Sequence, residues 1–198
     1  MRPPRDDDGV SLVELLVAMT LMAVVGAMFT GGILQVYNAL NKTDSDYTAQ
    51  SQINQAFGTL DREIRYAKSV STPATVSGDV YVEYLVQIDN VDTCVELRLK
   101  TSAAQLQRRT WAQGVTPVAP TPWGVLASNV TGTTPFTVRA LDKQNLTGYR
   151  FQRLVVNFTS TAGGGGTGTS RETNVTFAAL NATAFDNAST CIEGRKVP

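Results

Sequence analysis

The 198-residue chain contains no histidine. That removes the side chain most used as a general base near neutral pH and most used as a zinc ligand. Cysteine is nearly absent too: Cys94 and Cys191 are the only two, too few for an all-cysteine zinc site. Neither sign of charge is in excess, since 17 Lys and Arg balance 17 Asp and Glu. No global field therefore draws the chain to nucleic acid or to an acidic surface. Without histidine, no serine or cysteine has the usual base beside it. The glycines at 163–166 are not followed by the Lys-Ser/Thr pair of a phosphate loop. Asp89 and Asp92 fall in a predicted turn, where carboxylates shape the backbone rather than form an acid/base pair. These absences predict no catalytic, cofactor-binding or metal-binding residue, and a role other than an enzyme's.

Charge and proline are missing from one long stretch. Between Val10 and Asn41 the sole charged residue is Glu14, and no proline occurs between Val10 and Thr72. As a helix rising about 1.5 Å per residue, Leu12 to Leu34 would span about 35 Å, enough to cross a hydrocarbon core of about 30 Å with some tilt. A secretory signal has a shorter apolar core closed by an A-x-A site; this run is longer and no such site closes it. It therefore predicts a retained membrane helix. Arg2 and Arg5 precede it and place the N-terminus in the cytoplasm, the aspartates 6–8 counting for little, so the bulk of the chain lies outside.

Past Lys42, apolar residues recur at Ile53, Phe57, Leu60, Ile64 and Ala67, steps of four and three that mark one helical face. Gln52, Asn54, Asp61, Arg62, Arg65 and Lys68 occupy the other, with Asp61 and Arg65 spaced as an i,i+4 ion pair. Pro73 disfavours helix in the residue before it. The pattern predicts one helix from about Val10 to about Ser69, weakest at Gly31-Gly32 and Asn41–Ser45. Strands are predicted at Val80–Ile88, Cys94–Lys100, Gln105–Ala112, Phe136–Leu141, Phe151–Thr159 and Glu172–Leu180. DNVD (89–92) reads as a turn, TPVAPTPWG (116–124) as a loop, and GGGGTG (163–168) as the loop of a hairpin. The fold class that follows is α+β: a long N-terminal helix whose membrane-spanning first half leads to an amphipathic half packed on an antiparallel β-sheet head. Arg108, Arg109, Arg150 and Arg153 are read, at zero net charge, as a solvated sheet face rather than a DNA-binding patch, so nucleic acid is not an expected partner. In an extracytoplasmic domain, Cys94 and Cys191 are better placed to form a disulfide than to remain two buried thiols. Closing a loop of about 100 residues would then contribute up to about 4–5 kcal/mol on the chain-entropy account.

A short polar leader ending in glycine, followed by VSLVELLVAMTLMAVVG, resembles the start of type IV prepilins and secretion pseudopilins. INQAFGTLDREIRYAKSV and VELRLKTSAAQLQRRTW are further similar to PilW-like and GspJ-like minor pilins. The resemblance implies cleavage by prepilin peptidase between Gly9 and Val10 and N-methylation of Val10, which departs from the usual phenylalanine. It makes Glu14 the fifth mature residue, an assembly residue awaiting a neighbour's N-terminal amine. The plain alternative is a carboxylate tolerated near a helix end, snorkelling to the interface. The implied organisation is a leader at 1–9, a transmembrane and assembly half-helix at 10–40, an amphipathic half at 41–72 and a β-rich head at 73–198. The implied partners are prepilin peptidase, other pilins or pseudopilins through the helix, the membrane, and indirectly an assembly platform with its ATPase. The implied function is that of a minor pilin-like structural subunit that helps to initiate or cap a filament. A GspJ-like pseudopilin and a signal-anchored ligand-binding ectodomain that never polymerises are the alternatives. The implied location is the cytoplasmic membrane and then an extracellular or periplasmic filament.

Overall fold

The computed structural model of the chain describes residues 11–142, 150–162, 169–182 and 190–197. Two compact units divide it, residues 1–44 and 45–198. A single helix, α1 (Leu12–Arg65, 54 residues), begins in the first and ends in the second. Gly31-Gly32 and Asn41 do not interrupt it. In the first unit, the described side chains from Leu12 to Asn41 are exposed, and these 30 residues are long and apolar enough to cross a membrane.

In the second unit α1 turns one face inward. Ile53, Ala56, Leu60, Ile64 and, just past the helix, Ala67 are buried, while Gln52, Asn54, Arg62 and Arg65 are exposed. Asp61 and Arg65 form the expected i,i+4 pair at 2.7 Å. The helix stops at Arg65 rather than near Ser69. Its last turn tightens, with Tyr66 N–H donating to Glu63 O (3.2 Å) and Ala67 N–H to Ile64 O (3.0 Å). Lys68 N–H then donates to Leu85 O at 2.7 Å, so the sheet claims the backbone that helix periodicity had extended. Pro73 restricts only Thr72 and leaves these residues open to strand pairing.

Among the described residues ten strands follow, divided between two antiparallel sheets rather than gathered in one. The six-stranded sheet holds β1 (Ser69–Val70), β2 (Ala74–Val76), β3 (Asp79–Ile88), β4 (Val91–Lys100), β5 (Gln105–Ala112) and β6 (Gly124–Ser128). Its order is β1-β3-β4-β5-β6, with β2 also on β3. The four-stranded sheet holds β7 (Val130–Thr131), β8 (Phe136–Arg139), β9 (Gln152–Ala162) and β10 (Thr169–Ala179), with β10, β7 and β8 all pairing to β9. The β3–β4 turn is only Asp89-Asn90, with φ of 48° and 63°. Positive φ at both central residues is the geometry that matches the strand twist of a two-residue hairpin, and Asp and Asn tolerate it. Val91 and Asp92, expected in the turn, belong to β4. The glycine-rich segment 163–168 lies outside the described residues, between strands that pair from Ala162↔Thr169 to Gln152↔Ala179.

Period-two alternation gives the β3–β4–β5 sheet two different faces. Val82, Tyr84, Val86, Val95, Leu97, Leu99 and Leu106 join Leu60 and Ile64 of α1 in the main core. The four-stranded sheet adds Leu154, Val156, Phe158 and Phe177, and Phe57 of the helix lies 5.6 Å from Phe158 and 5.9 Å from Phe177, centroid to centroid. The opposite face presents Glu83, Leu85, Cys94, Glu96, Arg109 and Trp111.

Candidate functional site

The N-terminal segment is the first place that carries chemistry. Gly9 and Val10, the expected cleavage and methylation residues, lie outside the described residues. Glu14 is described: it sits in the first turn of α1 and is exposed. Leu15 N–H donates to Ser11 O at 3.1 Å, so the helical ladder starts from Ser11. Ser11-x-x-Glu14 has the spacing of a capping box, a signal that the sequence carries and that the reading of Glu14 as an assembly residue passes over. A carboxylate in the first turn also faces the positive end of the helix dipole, worth about 0.3–1 kcal/mol. Glu14 thus has a local reason to be there besides any intermolecular one. Further along, Thr20 and Thr30 donate their hydroxyls back to Val17 O (2.9 Å) and Gly26 O (2.8 Å). Polar side chains satisfied within the helix suit a segment that must do without water.

The second place is the outer face of the β3–β4–β5 sheet, where the C-terminal segment returns. Cys94 of β4 and Cys191 form a disulfide, Cα–Cα 5.6 Å. Next to it, Trp111 Nε1 donates to Glu193 Oε1 at 3.1 Å. Cys94, Cys191 and Glu193 bring three potential ligand atoms within 4.8 Å, but the two sulfurs are bonded to each other and offer no thiolates. A short 3₁₀ helix, Ile192–Lys196, carries Arg195 onto Glu83, which it meets at 2.7 and 2.5 Å. Ser71 Oγ donates to the same carboxylate and accepts Glu83 N–H at 2.9 Å.

Register then explains a correction. Arg108 and Arg109 were expected on a solvated sheet face, and both are turned inward. Arg109 stands opposite Glu96 in the β4–β5 ladder and bonds it at 2.5 Å, with Arg109 2% and Glu96 0% exposed. Arg108 points to the other face and reaches Glu63 of α1 at 2.7 and 3.0 Å, where Tyr84 Oη also donates at 2.5 Å. Composition gives zero net charge but cannot say which arginine finds a carboxylate across a strand. Arg150 is exposed, as expected. The indole of Trp123, carried in from the end of the proline-rich loop, lies over the guanidinium groups of Arg98 (3.9 Å) and Arg109 (4.1 Å), a cation–π arrangement strengthened by exclusion of water.

Burial governs the ionisation of this layer. It raises the Glu96 carboxyl to about 7 against the pull of Arg109, and the neighbouring Glu83 adds to the rise. Glu83 is raised for the same reason, opposed by Arg195 and Ser71. On the helix side, burial and the adjacent Glu63 push the Tyr84 phenol well up. For Arg108, burial works to lower the guanidinium, but the hydrogen bond and charge of Glu63 prevail and raise it.

Residues 4–30 match the family described as the prokaryotic N-terminal methylation motif. The match spans Gly9, Val10 and Glu14 and leaves the head outside it. No curated protein and no solved structure matches the chain.

Proposed function

Because the chain is type IV prepilin-like, we propose that it is a minor pilin-like structural subunit of a type IV pilus or related filament, helping to initiate or cap its assembly. The observation that carries this reading is the coincidence of the methylation motif over residues 4–30 with an apolar helix of membrane-spanning length from Leu12 to Asn41. Prepilin peptidase cuts between Gly9 and Val10 and Val10 is methylated. The segment is held in lipid first and then packs against the corresponding helices of neighbouring pilins. Both surroundings are apolar, so one surface that is apolar all round serves in each. Glu14 meets the N-terminal amine of a neighbour, a pair that is poorly solvated in a filament core and costly to break from one side. The head stays outside the cytoplasm and serves as the structural part of the subunit.

Mass spectrometry of the protein from cells that contain the peptidase should find the mature chain starting at Val10 with one added methyl group. An intact Met1 start in such cells would sink the proposal. For Glu14, the Glu14→Ala chain should insert in the membrane normally and be depleted from sheared filaments by at least about a hundredfold, since one unpaired buried charge costs about 3–5 kcal/mol and each 1.4 kcal/mol is about tenfold. Undiminished incorporation would remove the assembly role and leave Glu14 its place at the helix start.

A further inference from the structure

Residues 190–197 are held on the outer sheet face in two ways. One is covalent, the Cys94–Cys191 bond. The other is ionic and directional. Arg195 grips Glu83 and donates to Thr72 O at 2.6 Å, while Arg109 donates to Gly194 O and Val197 O, both at 2.8 Å. Gly194 lies so close to Trp111 that an added Cβ would come within 2.3 Å of the ring. Both cysteines are buried, Cys94 0% and Cys191 2% exposed, packed with Leu85 and with Trp111, the ring that Gly194 of this segment lies against.

Thiol–disulfide exchange proceeds by attack of a thiolate on one sulfur, through a mixed disulfide, so its rate depends on access. Buried sulfurs deny that access. Glu193, with an oxygen 3.8 Å from Cys94 Sγ, adds a like charge against an arriving thiolate.

We infer that residues 190–197 form a strap that gates thiol–disulfide exchange at Cys94–Cys191, with Arg195 as its latch. In the closed state neither sulfur can be attacked. When the Arg195–Glu83 contacts break, the strap lifts. A small dithiol then attacks one sulfur as its thiolate, and the other cysteine leaves as a thiolate. The second thiol of the reductant displaces the bound cysteine, giving two cysteines and one oxidised cyclic reductant. The reverse path needs a disulfide-bearing oxidant and the same opening, so the bond is made before the latch closes. This inference rests on the head alone and stands whether or not the chain polymerises.

The test uses the full chain in detergent, excess dithiothreitol under native conditions, and maleimide trapping of the freed thiols over time. Wild type should be reduced at least about a hundredfold more slowly than the same chain in guanidinium, as protected opening requires. Arg195→Ala should be reduced at least about tenfold faster than wild type, the scale of one lost charge-assisted hydrogen bond. Arg108→Ala breaks the Glu63 pair on the opposite face and serves as a control: its rate should change only as its global stability does. Equal rates for Arg195→Ala and wild type would overturn the gate. So would an acceleration by Arg195→Ala no greater than Arg108→Ala gives at matched stability, because reduction would then follow global unfolding. Should Arg195→Ala not fold, Arg195→Lys keeps the charge, loses the planar fork and should show a smaller acceleration, about threefold. A Lys variant indistinguishable from wild type would likewise overturn the assignment.

Discussion

The two faces of the β3–β4–β5 sheet are equally buried and built from opposite materials. Under α1 the sheet presents Val82, Val86, Val95, Leu97 and Leu99, with one polar knot at Glu63, Tyr84 and Arg108. Under the strap it presents Glu83, Glu96 and Arg109, with a disulfide and an indole beside them. On the apolar face a truncation forfeits dispersion and hydrophobic burial that are shared among many contacts. On the charged face it strands a buried carboxylate whose guanidinium partner has little water to replace it. Burial alone therefore does not define a core; what matters is whether neighbours can compensate for a loss.

Paired substitutions would sharpen the contrast most. Arg109→Ala should cost about 3–5 kcal/mol, since it leaves Glu96 buried without its partner and frees the carbonyls of Gly194 and Val197. Leu60→Ala, at a fully buried site on the other face, should cost about 3 kcal/mol. Urea or guanidinium unfolding of both variants decides the order, and a smaller loss for Arg109→Ala would break the comparison.

A pH series gives the smaller effect, and between pH 5 and pH 8 it reads the charged face. The Glu96 carboxyl is raised to about 7 in the fold from an ordinary value of 4.5. The native state therefore holds more protons than the unfolded chain between those values. The contribution is fully present below about 4.5 and is lost as pH rises through about 7. Relative to Glu96→Gln, wild type should gain on the order of 2 kcal/mol on going from pH 8 to pH 5. A pH-independent difference between the two proteins, or one of the opposite sign, would show that Glu96 is ionised throughout.

Much of this was legible in residue order. Alternation placed β3 and β4 within a few residues because their helix-facing positions, Val82, Tyr84 and Val86 and then Val95, Leu97 and Leu99, are apolar or aromatic at period two, whereas β5 sets Arg108 and Thr110 beside Leu106 on that face. The helix face Ile53–Ala67 was equally plain from its steps of three and four. Four short strands were not legible. Ser69–Val70 and Ala74–Val76 flank Pro73, where the helix was expected to end. Gly124–Ser128 and Val130–Thr131 follow a proline-rich loop, and β6 depends on a register shift against β5 between Leu106 and Gln107, a tertiary choice with no local signal. Arg109 was hidden for a different reason. An arginine beside polar neighbours reads as surface, and only the Glu96↔Arg109 register shows that it is paired and inside. Gly9 and Val10 lie outside the described residues, and the support for them is the methylation motif matched over residues 4–30.

Glu63 has a consequence for how the helix is set on the head. One residue of α1 turns a side chain by about 100°. Glu63 must meet Tyr84 of β3 and Arg108 of β5 at once. A slip of α1 by a single residue would swing the carboxylate off both strands and leave a buried phenol and a half-buried guanidinium without it. The apolar neighbours Leu60 and Ile64 would accept a small rotation, but Glu63 would not. It acts as an index pin, giving the rotational setting of the head's helix discrete stops where a purely greasy interface would allow a sliding fit.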